Sequence, residues 1–281
     1  MKLGPFLLIS MLGIFFACSS EKDHLIKIET RFGDMYAILY DETPAHKENF
    51  IRLVEDQRFD STTFHRVIRD FMIQGGDVFT KEGIPPEEWY TLPAEFNEKY
   101  IHERGSIAAA RQGDGINPQK RSSGSQFYIV QGVVYKELEL TTDMRKLQEA
   151  FMKYVQVVSH KSLMDEYTRL YQEGDFKGMN KLMLDNRRDM EAFFSTSFQK
   201  AMRPEQLSAY TTIGGTPHLD DEYTVFGKII QGMEVVEKIA AVETTSQDVP
   251  LDPVLMKVTV EEKMKKEIEK EFGYIYPIDN E

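Results

Sequence analysis

Apolar and polar residues alternate with a period of two through IKIET (26–30) and DMYAILY (34–40), which predicts two strands joined into a hairpin at Arg31-Phe32-Gly33. STTFHRVI (61–68), GSIAAAR (105–111), SQFYIVQG (125–132), TVFGKII (224–230) and VLMKVTVEE (254–262) are further strand candidates. Helical spacing appears in DETPAHKENFIRLVED, where Thr43 is placed to cap, Pro44 suits the first turn, and Phe50, Leu53 and Val54 form a stripe. A second short helix is expected over MEVVEKIAAV (233–242). Strands dominate and helices do not alternate with them, so an antiparallel barrel with a few capping helices fits better than a parallel sheet.

The pattern changes over residues 133–210. Glycine and proline nearly vanish there, and apolar residues recur at helical spacing. Met144, Leu147, Phe151, Tyr154, Val155 and Val158 mark one stripe; Leu182, Met183, Met190, Phe193, Phe194 and Met202 mark another. With a break at Glu173-Gly174-Asp175 and Asp175 as a cap, this predicts two long helices, divisible into more, in an antiparallel hairpin inserted into the barrel. The closing segment 263–281 is expected to be a charged tail, a solvated helix followed by a frayed end.

FHRVIRDFMIQGGD (64–77) is unusual because an arginine interrupts a strand-like run. Period two would put Phe64, Arg66 and Ile68 on one face, a permanent cation between apolar neighbours. The paired structural reading is a barrel arginine bonded to a carboxylate.

Composition narrows the chemistry. The 281 residues carry a net charge of −12, which argues against nucleic acid, whose phosphates require a basic surface. The six histidines, at 24, 46, 65, 102, 160 and 218, show no paired spacing for zinc, and Gly75-Gly76-Asp77 is not a dinucleotide fingerprint, so no metal or organic cofactor is expected. His65 is expected to be a packed structural residue. Ser122, Ser123 and Ser125 crowd one loop without forming a nucleophile elbow.

The start, MKLGPFLLISMLGIFFACSS, has Lys2, an apolar run from Leu3 to Phe16 and a cleavage-like Ala17: a secretory signal peptide over 1–17, too short for a comfortable membrane span. Cys18 is the chain's one cysteine and cannot form an internal disulfide. It is either an inconsequential thiol or an acylation site, because the stretch resembles the lipobox of bacterial lipoproteins, with Phe15 in place of the usual leucine. The second reading makes 18–23 a lipid-tether segment and the chain an exported lipoprotein of the cell envelope, anchored without spanning the membrane.

FHRVIRDFMIQGGD, GSIAAAR, SSGSQFYIV and HLDDEYTVFGKIIQGMEVVEKI, in that order, resemble the cyclophilins, which are peptidyl-prolyl cis–trans isomerases. The resemblance covers 24–132 and 211–262 and leaves 133–210 as an insertion. It implies an eight-stranded antiparallel barrel with two capping helices, and a site that takes proline-containing polypeptides. Arg66 becomes the catalytic residue; Phe71, Met72, Tyr128 and Leu219, with Tyr223 at the edge, become the walls of a proline pocket. Each wall residue taken singly would as readily be core. Gln74 and Gln126 would hold the substrate backbone, and Ala110, Arg111 and Gln112 would supply the segment that pairs with it. Tyr128 stands where phenylalanine is common, so its hydroxyl needs a partner. Tyr223 replaces the histidine of the best-known members. Arg111 replaces an asparagine, and its side chain is expected to point to solvent. His218 replaces a tryptophan that donates to cyclosporin, so cyclosporin A is expected to bind weakly.

Two functional classes follow. One is an enzyme assisting the folding of exported proteins; the other is a non-catalytic binding module on the same barrel. The insertion is either a packed decoration or an apolar arm for unfolded clients or a protein partner, leaving the barrel beside the groove. As an arm it should be removable over 135–208 without loss of turnover on a short X-Pro peptide.

Overall fold

The structure, a computed structural model, describes residues 21–157 and 160–277. The segment expected to be a signal peptide, Cys18 and Val158 of the first stripe lie outside them.

Eight strands form one antiparallel sheet: β1 (Lys22–Thr30), β2 (Gly33–Leu39), β3 (Phe64–Ile68), β4 (Met72–Gly75), β6 (Ser106–Ala109), β8 (Phe127–Val130), β9 (Val225–Gln231) and β10 (Lys257–Met264). Their order is β10-β1-β2-β9-β6-β8-β4-β3. The lead-in to β3 meets the lead-in to β10, with Phe64 N–H donating to the Val254 carbonyl and Met256 N–H to that of Thr62 (2.9 Å each), so the sheet's edges join. Between β4 and β8 a separate pair, β5 (Thr91–Leu92) and β7 (Ser122–Ser123), flanks the barrel. β1 already includes Lys22 and Asp23 of the segment read as tether, and β10 runs past 262 to Met264.

The interior is filled by Ile26, Ile28, Met35, Phe59, Phe64, Ile107, Phe127 and Ile129 among others, nearly all without solvent contact. Two helices cap it as expected: α1 (Pro44–Glu55) over β9 and β10, and, near the chain's end, α9 (Met233–Ala240) over β2, β3 and β4. Thr43 takes the cap position of α1, but its hydroxyl bonds back to the Tyr40 carbonyl. The first free amides, of Ala45 and His46, instead donate to the two carboxylate oxygens of Glu95, both at 3.0 Å. A one-turn helix, α2 (Val78–Lys81), follows β4.

The insertion is helical, in six pieces: α3 (Glu137–Leu140), α4 (Met144–Tyr154), α5 (Lys161–Glu173), α6 (Phe176–Asp185), α7 (Arg187–Phe194) and α8 (Pro204–Thr212). The break at Gly174 is left-handed (φ +71°), and Asp175 caps α6 by accepting from Gly178 N–H. The two stripes meet in a core of their own, built from Leu147, Phe151, Tyr154, Met183, Met190 and Phe198. Met183 and Met190 are therefore packed inside, with Met144 partly buried against them, while Met202 stands outside this core.

The insertion leaves and returns at one point. Val133 and Gly215 pair across the neck, and Gly132 (φ +62°) faces Gly215 so closely that a Cβ on either would strike backbone. The closing helix, α10 (Lys265–Phe272), is not the solvated element expected. Its Ile268 is fully buried against Leu25 and Ile38, joined by Phe272, Tyr274 and Tyr276.

Candidate active site

The strands that hold the site are apolar on both faces, which explains why FYIV and SIAAA read as unbroken runs. Phe127 and Ile129 point into the barrel, while Tyr128 and Val130 point outward; Ile107 and Ala109 point in, Ala108 and Ala110 out. The outward set, with Met72 and Val225, forms a second apolar cluster against which Ile68, Phe71, Leu219 and Tyr223 pack. All five wall residues expected from the sequence are thus brought together on the barrel's outer surface.

Arg66 reaches that surface by a route the sequence pattern does not show. The register between β3 and β4 shifts between Phe64 and Arg66: Phe64 pairs with Gly75 and Arg66 with Gln74. This bulge leaves His65 as the extra residue. Phe64 and Val67 consequently share the core face, while Arg66 and Ile68 share the outer one. The expectation that Phe64 and Arg66 lie on one face is corrected by that single inserted residue. His65 is partly buried, and burial holds its imidazole below the usual value.

Arg66, Gln74 and Tyr128 lie in register across β3, β4 and β8. Gln74 Nε2 donates to Gln126 Oε1 at 3.1 Å, fixing both amides beside the guanidinium. Arg66 Nε stands 3.6 Å from Asp248 Oδ2, an ion pair too long for a hydrogen bond, and the guanidinium side chain remains 45% exposed. Among the described residues its donors make no hydrogen bond, which leaves them for a ligand. Val67 N–H donates to the Asp248 carbonyl (2.8 Å), which ties the turn carrying that carboxylate to the strand.

Arg111 does not point to solvent. Its side chain is 5% exposed: Nε donates to the Glu222 carbonyl (2.7 Å), Nη2 to the Glu222 carboxylate (3.0 Å), and Nη1 to the Gln112 carbonyl (3.0 Å) and Asp114 Oδ1 (2.6 Å). The guanidinium sits 4.6 Å over the Tyr223 ring. The arginine therefore clamps Glu222 and Tyr223 and holds this edge of the apolar cluster in place. Ala110 spends its N–H on the Gln126 carbonyl and its carbonyl on Ser123 N–H. Gln112 gives its carbonyl to Arg111 and, at 3.5 Å, to the Asn117 amide. His218 is exposed and stacks on Phe71, ring centroids 5.4 Å apart.

The Tyr128 hydroxyl finds a partner that sequence reasoning missed. It lies 3.0 Å from His102 Nε2, and His102 Nδ1 lies 3.0 Å from Asp220 Oδ1. Burial pushes the phenol's pKa well up, so Tyr128 is the donor, His102 Nε2 accepts, and Nδ1–H donates to Asp220. Asp220 also accepts from the His102 backbone N–H (2.8 Å), the Tyr210 hydroxyl (2.7 and 2.8 Å to its two oxygens) and Gln206 Nε2 (2.8 Å). Burial alone would raise its pKa; the bonds from His102 and Tyr210 outweigh it and hold the carboxyl below its ordinary value. Tyr210 and Gln206 belong to α8, so the insertion's last helix supports the Asp220–His102–Tyr128 line beneath the apolar cluster. No local motif announces the contacts among residues 102, 128, 206, 210 and 220; only the fold collects them.

A Ser–His–Glu line also exists: Ser122 Oγ to His46 Nε2 at 2.8 Å, and His46 Nδ1 to Glu95 Oε2 at 2.6 Å. Ser122 and His46 are each 2% exposed, beside a cavity of about 20 Å³ that admits no more than a water-sized group. Burial keeps the imidazole's pKa low, and the line anchors α1 to β7. Among the described residues no three His, Cys, Asp or Glu side chains gather as a metal group, and no helix is long and apolar enough to cross a membrane.

Comparison with known proteins agrees with this geometry. The family model described as cyclophilin type peptidyl-prolyl cis-trans isomerase/CLD matches residues 25–143 and 206–260, passing over the helical stretch between. A Staphylococcus haemolyticus protein named as a peptidyl-prolyl cis-trans isomerase is 30% identical over 249 residues, covering 86% of this chain and 94% of its own. A Streptococcus pyogenes protein named as a bifunctional phosphatase/peptidyl-prolyl cis-trans isomerase is 28% identical over 82% of this chain, which spans only 37% of that relative's length. The crystal structure of a cyclophilin type isomerase from Cryptosporidium parvum superposes with a TM-score of 0.50 at 17% identity, covering 86% of this chain and 98% of that one, a likeness of fold.

Proposed function

The chain belongs to the cyclophilin-type peptidyl-prolyl cis-trans isomerases, and from that premise we propose that Arg66 is the group that accelerates rotation about the X-Pro bond. Rotation breaks amide resonance, a barrier of roughly 18–20 kcal/mol. In the twisted state the prolyl nitrogen becomes pyramidal and its lone pair localises. A donor fixed beside that nitrogen favours the twisted state over the planar one, which is the requirement for catalysis. The guanidinium is permanently charged and cannot act as a proton-transfer acid at neutral pH, so its contribution is electrostatic.

The observation that carries this reading is the placement of Arg66. It stands across from the bonded Gln74–Gln126 pair, on the same outer surface as the apolar wall of Phe71, Met72, Tyr128, Leu219 and Tyr223. The wall desolvates the proline ring, the two amides hold the flanking backbone, and the donors left free by the long Asp248 contact meet the nitrogen. A protease-coupled isomerase assay tests it. Arg66→Ala should lower kcat/KM on a short X-Pro peptide by about 10²–10³-fold, the cost of losing one preorganised donor. Arg66→Lys should recover only part, because a point charge lacks the planar fork. Equal rates for wild type and Arg66→Ala would refute the role; an inactive wild type would make the barrel a binding module.

The setting we propose is the cell envelope, with exported polypeptides as substrates. The reading rests on the 1–17 leader and on Cys18, which stands four residues before β1 begins. Acylation there would leave almost no slack between membrane and barrel. Fractionation of wild type against Cys18→Ser tests it: the serine variant should leave the membrane fraction, and unchanged partition would refute the anchor.

A further inference from the structure

A groove of about 820 Å³, lined mostly by the insertion, forms a seam against Pro217 and His218 where the chain returns to the barrel, within the range of about 300–1,000 Å³ typical of ligand sites. Its apolar lining includes Val134, Leu140, Met144 and Met202, and Val134 is 59% exposed. The groove borders the apolar wall at two points. His218 lines it and stacks on Phe71; Lys177 lines it and bonds Asp70 at 3.2 Å, the residue before Phe71. Phe176, next to Lys177 at the start of α6, is 63% exposed.

We propose that this groove binds the stretch of an unfolded polypeptide that flanks the isomerised proline, and that it selects apolar segments carrying a carboxylate. The proposal rests on the isomerase site described above and names the substrates that site receives. A chain leaving the pocket beside Phe71 passes between His218 and Lys177 and enters the seam. The charges there favour an acidic partner: Arg145, Lys177 and Lys200 are cationic, while the two carboxylates, Glu139 and Asp143, already accept the backbone N–H of Lys136 and Lys146. The exposed Arg145–Glu149 and Lys177–Asp70 pairs hold weakly and can exchange for a ligand carboxylate. The insertion thus offers a seam to the client, with Met144 and Met202 of the stripes in its lining, while Met183 and Met190 are consumed by its own core.

Asn180 lines the groove from an exposed position on α6, so Asn180→Trp fills it without disturbing a packed core. Two substrates separate groove from pocket: an X-Pro tetrapeptide, too short to run along the seam, and the same core extended on both flanks by apolar and acidic residues. Asn180→Trp should lower kcat/KM for the extended peptide about tenfold and leave the tetrapeptide within about twofold; Lys200→Glu should act the same way more weakly, and only when the flanks are acidic. Equal loss on both substrates, or on neither, overturns the groove. Failure of wild type on both substrates would instead remove the isomerase reading. The groove would then be judged by fluorescence anisotropy of the labelled extended peptide: weaker binding to Asn180→Trp than to wild type upholds it, and equal binding overturns it.

Discussion

At the scale of single residues, the pocket depends on side chains whose partners come from elsewhere in the chain. Tyr128 is the sharpest case, since its ring forms the wall and its hydroxyl a buried bond to His102. Tyr128→Phe keeps the ring and strands the histidine's Nε2. The cost of a buried group left unsatisfied is about 1–3 kcal/mol, which should appear as a lower urea midpoint at unchanged slope, with tetrapeptide turnover within a few-fold of wild type. A variant as stable as wild type would mean that the bond carries no weight. Arg111 shows why such partners are hard to read from sequence. The sequence places its side chain in solvent, yet besides the nearby Asp114 it meets Glu222 and Tyr223, more than a hundred positions away, which bury it. Arg66 was legible as a chemical oddity, but the bulge that turns it outward is a matter of register, set by pairing with β4 and invisible to a period-two count.

Among elements, the sheet strands other than β4 and the two capping helices followed from the residue pattern, by alternation or as short apolar runs; β4 and the short β5–β7 pair did not. The insertion's helical character followed too. Its division into six pieces did not: the turn at Gly174 carries a residue that favours φ > 0, whereas Asn186 both ends α6 and precedes α7, and α7 ends on Ser195 at φ +49°. The larger surprise is α8, which behaves as part of the pocket. Deleting 135–208 removes Gln206 and most of α8, so that deletion should impair even tetrapeptide turnover, contrary to the expectation from sequence. Tyr210→Phe is the finer test, since it removes the hydroxyl bonds to Asp220 and keeps the ring. Loss of a bond to a charged group should cost about 1.5–3 kcal/mol at neutral pH. The pH dependence has a defined sign. Asp220 is depressed in the folded state, so below the ordinary carboxylate value of about 3.9 the unfolded chain takes up the proton first. Its stabilisation is complete above that value and lost as pH falls through the depressed one. Tyr210→Phe brings the folded pKa back toward ordinary, so its stability should fall less steeply on acidification than that of wild type. Parallel curves would remove Asp220 from the account.

In the whole molecule, the barrel's interior core and the insertion's core are joined by polar ties. The barrel core runs without interruption from Ile26 to Val258; the insertion's core, around Leu147, Phe151, Met183 and Met190, is smaller and separate. Between them stand the Val133–Gly215 neck, the Asp220 hub and the exposed Lys177–Asp70 pair. Ties of this kind transmit less cooperativity than shared apolar burial, since stability follows the buried area each unit holds for itself. The insertion should therefore open without unfolding the barrel. Native-state amide exchange should show two plateaus, with the amides of α4 and α6 exchanging at lower free energy than those of β1, β6 and β8. The α8 amides should group with the barrel, because Tyr210 is fully buried and bonded to Asp220. That grouping matters for function: if α4 to α7 can loosen while α8 stays fixed, the seam can widen around a client chain while the proline pocket keeps its shape. A single plateau for all of these helices and strands would mean one cooperative unit, and a groove of fixed width.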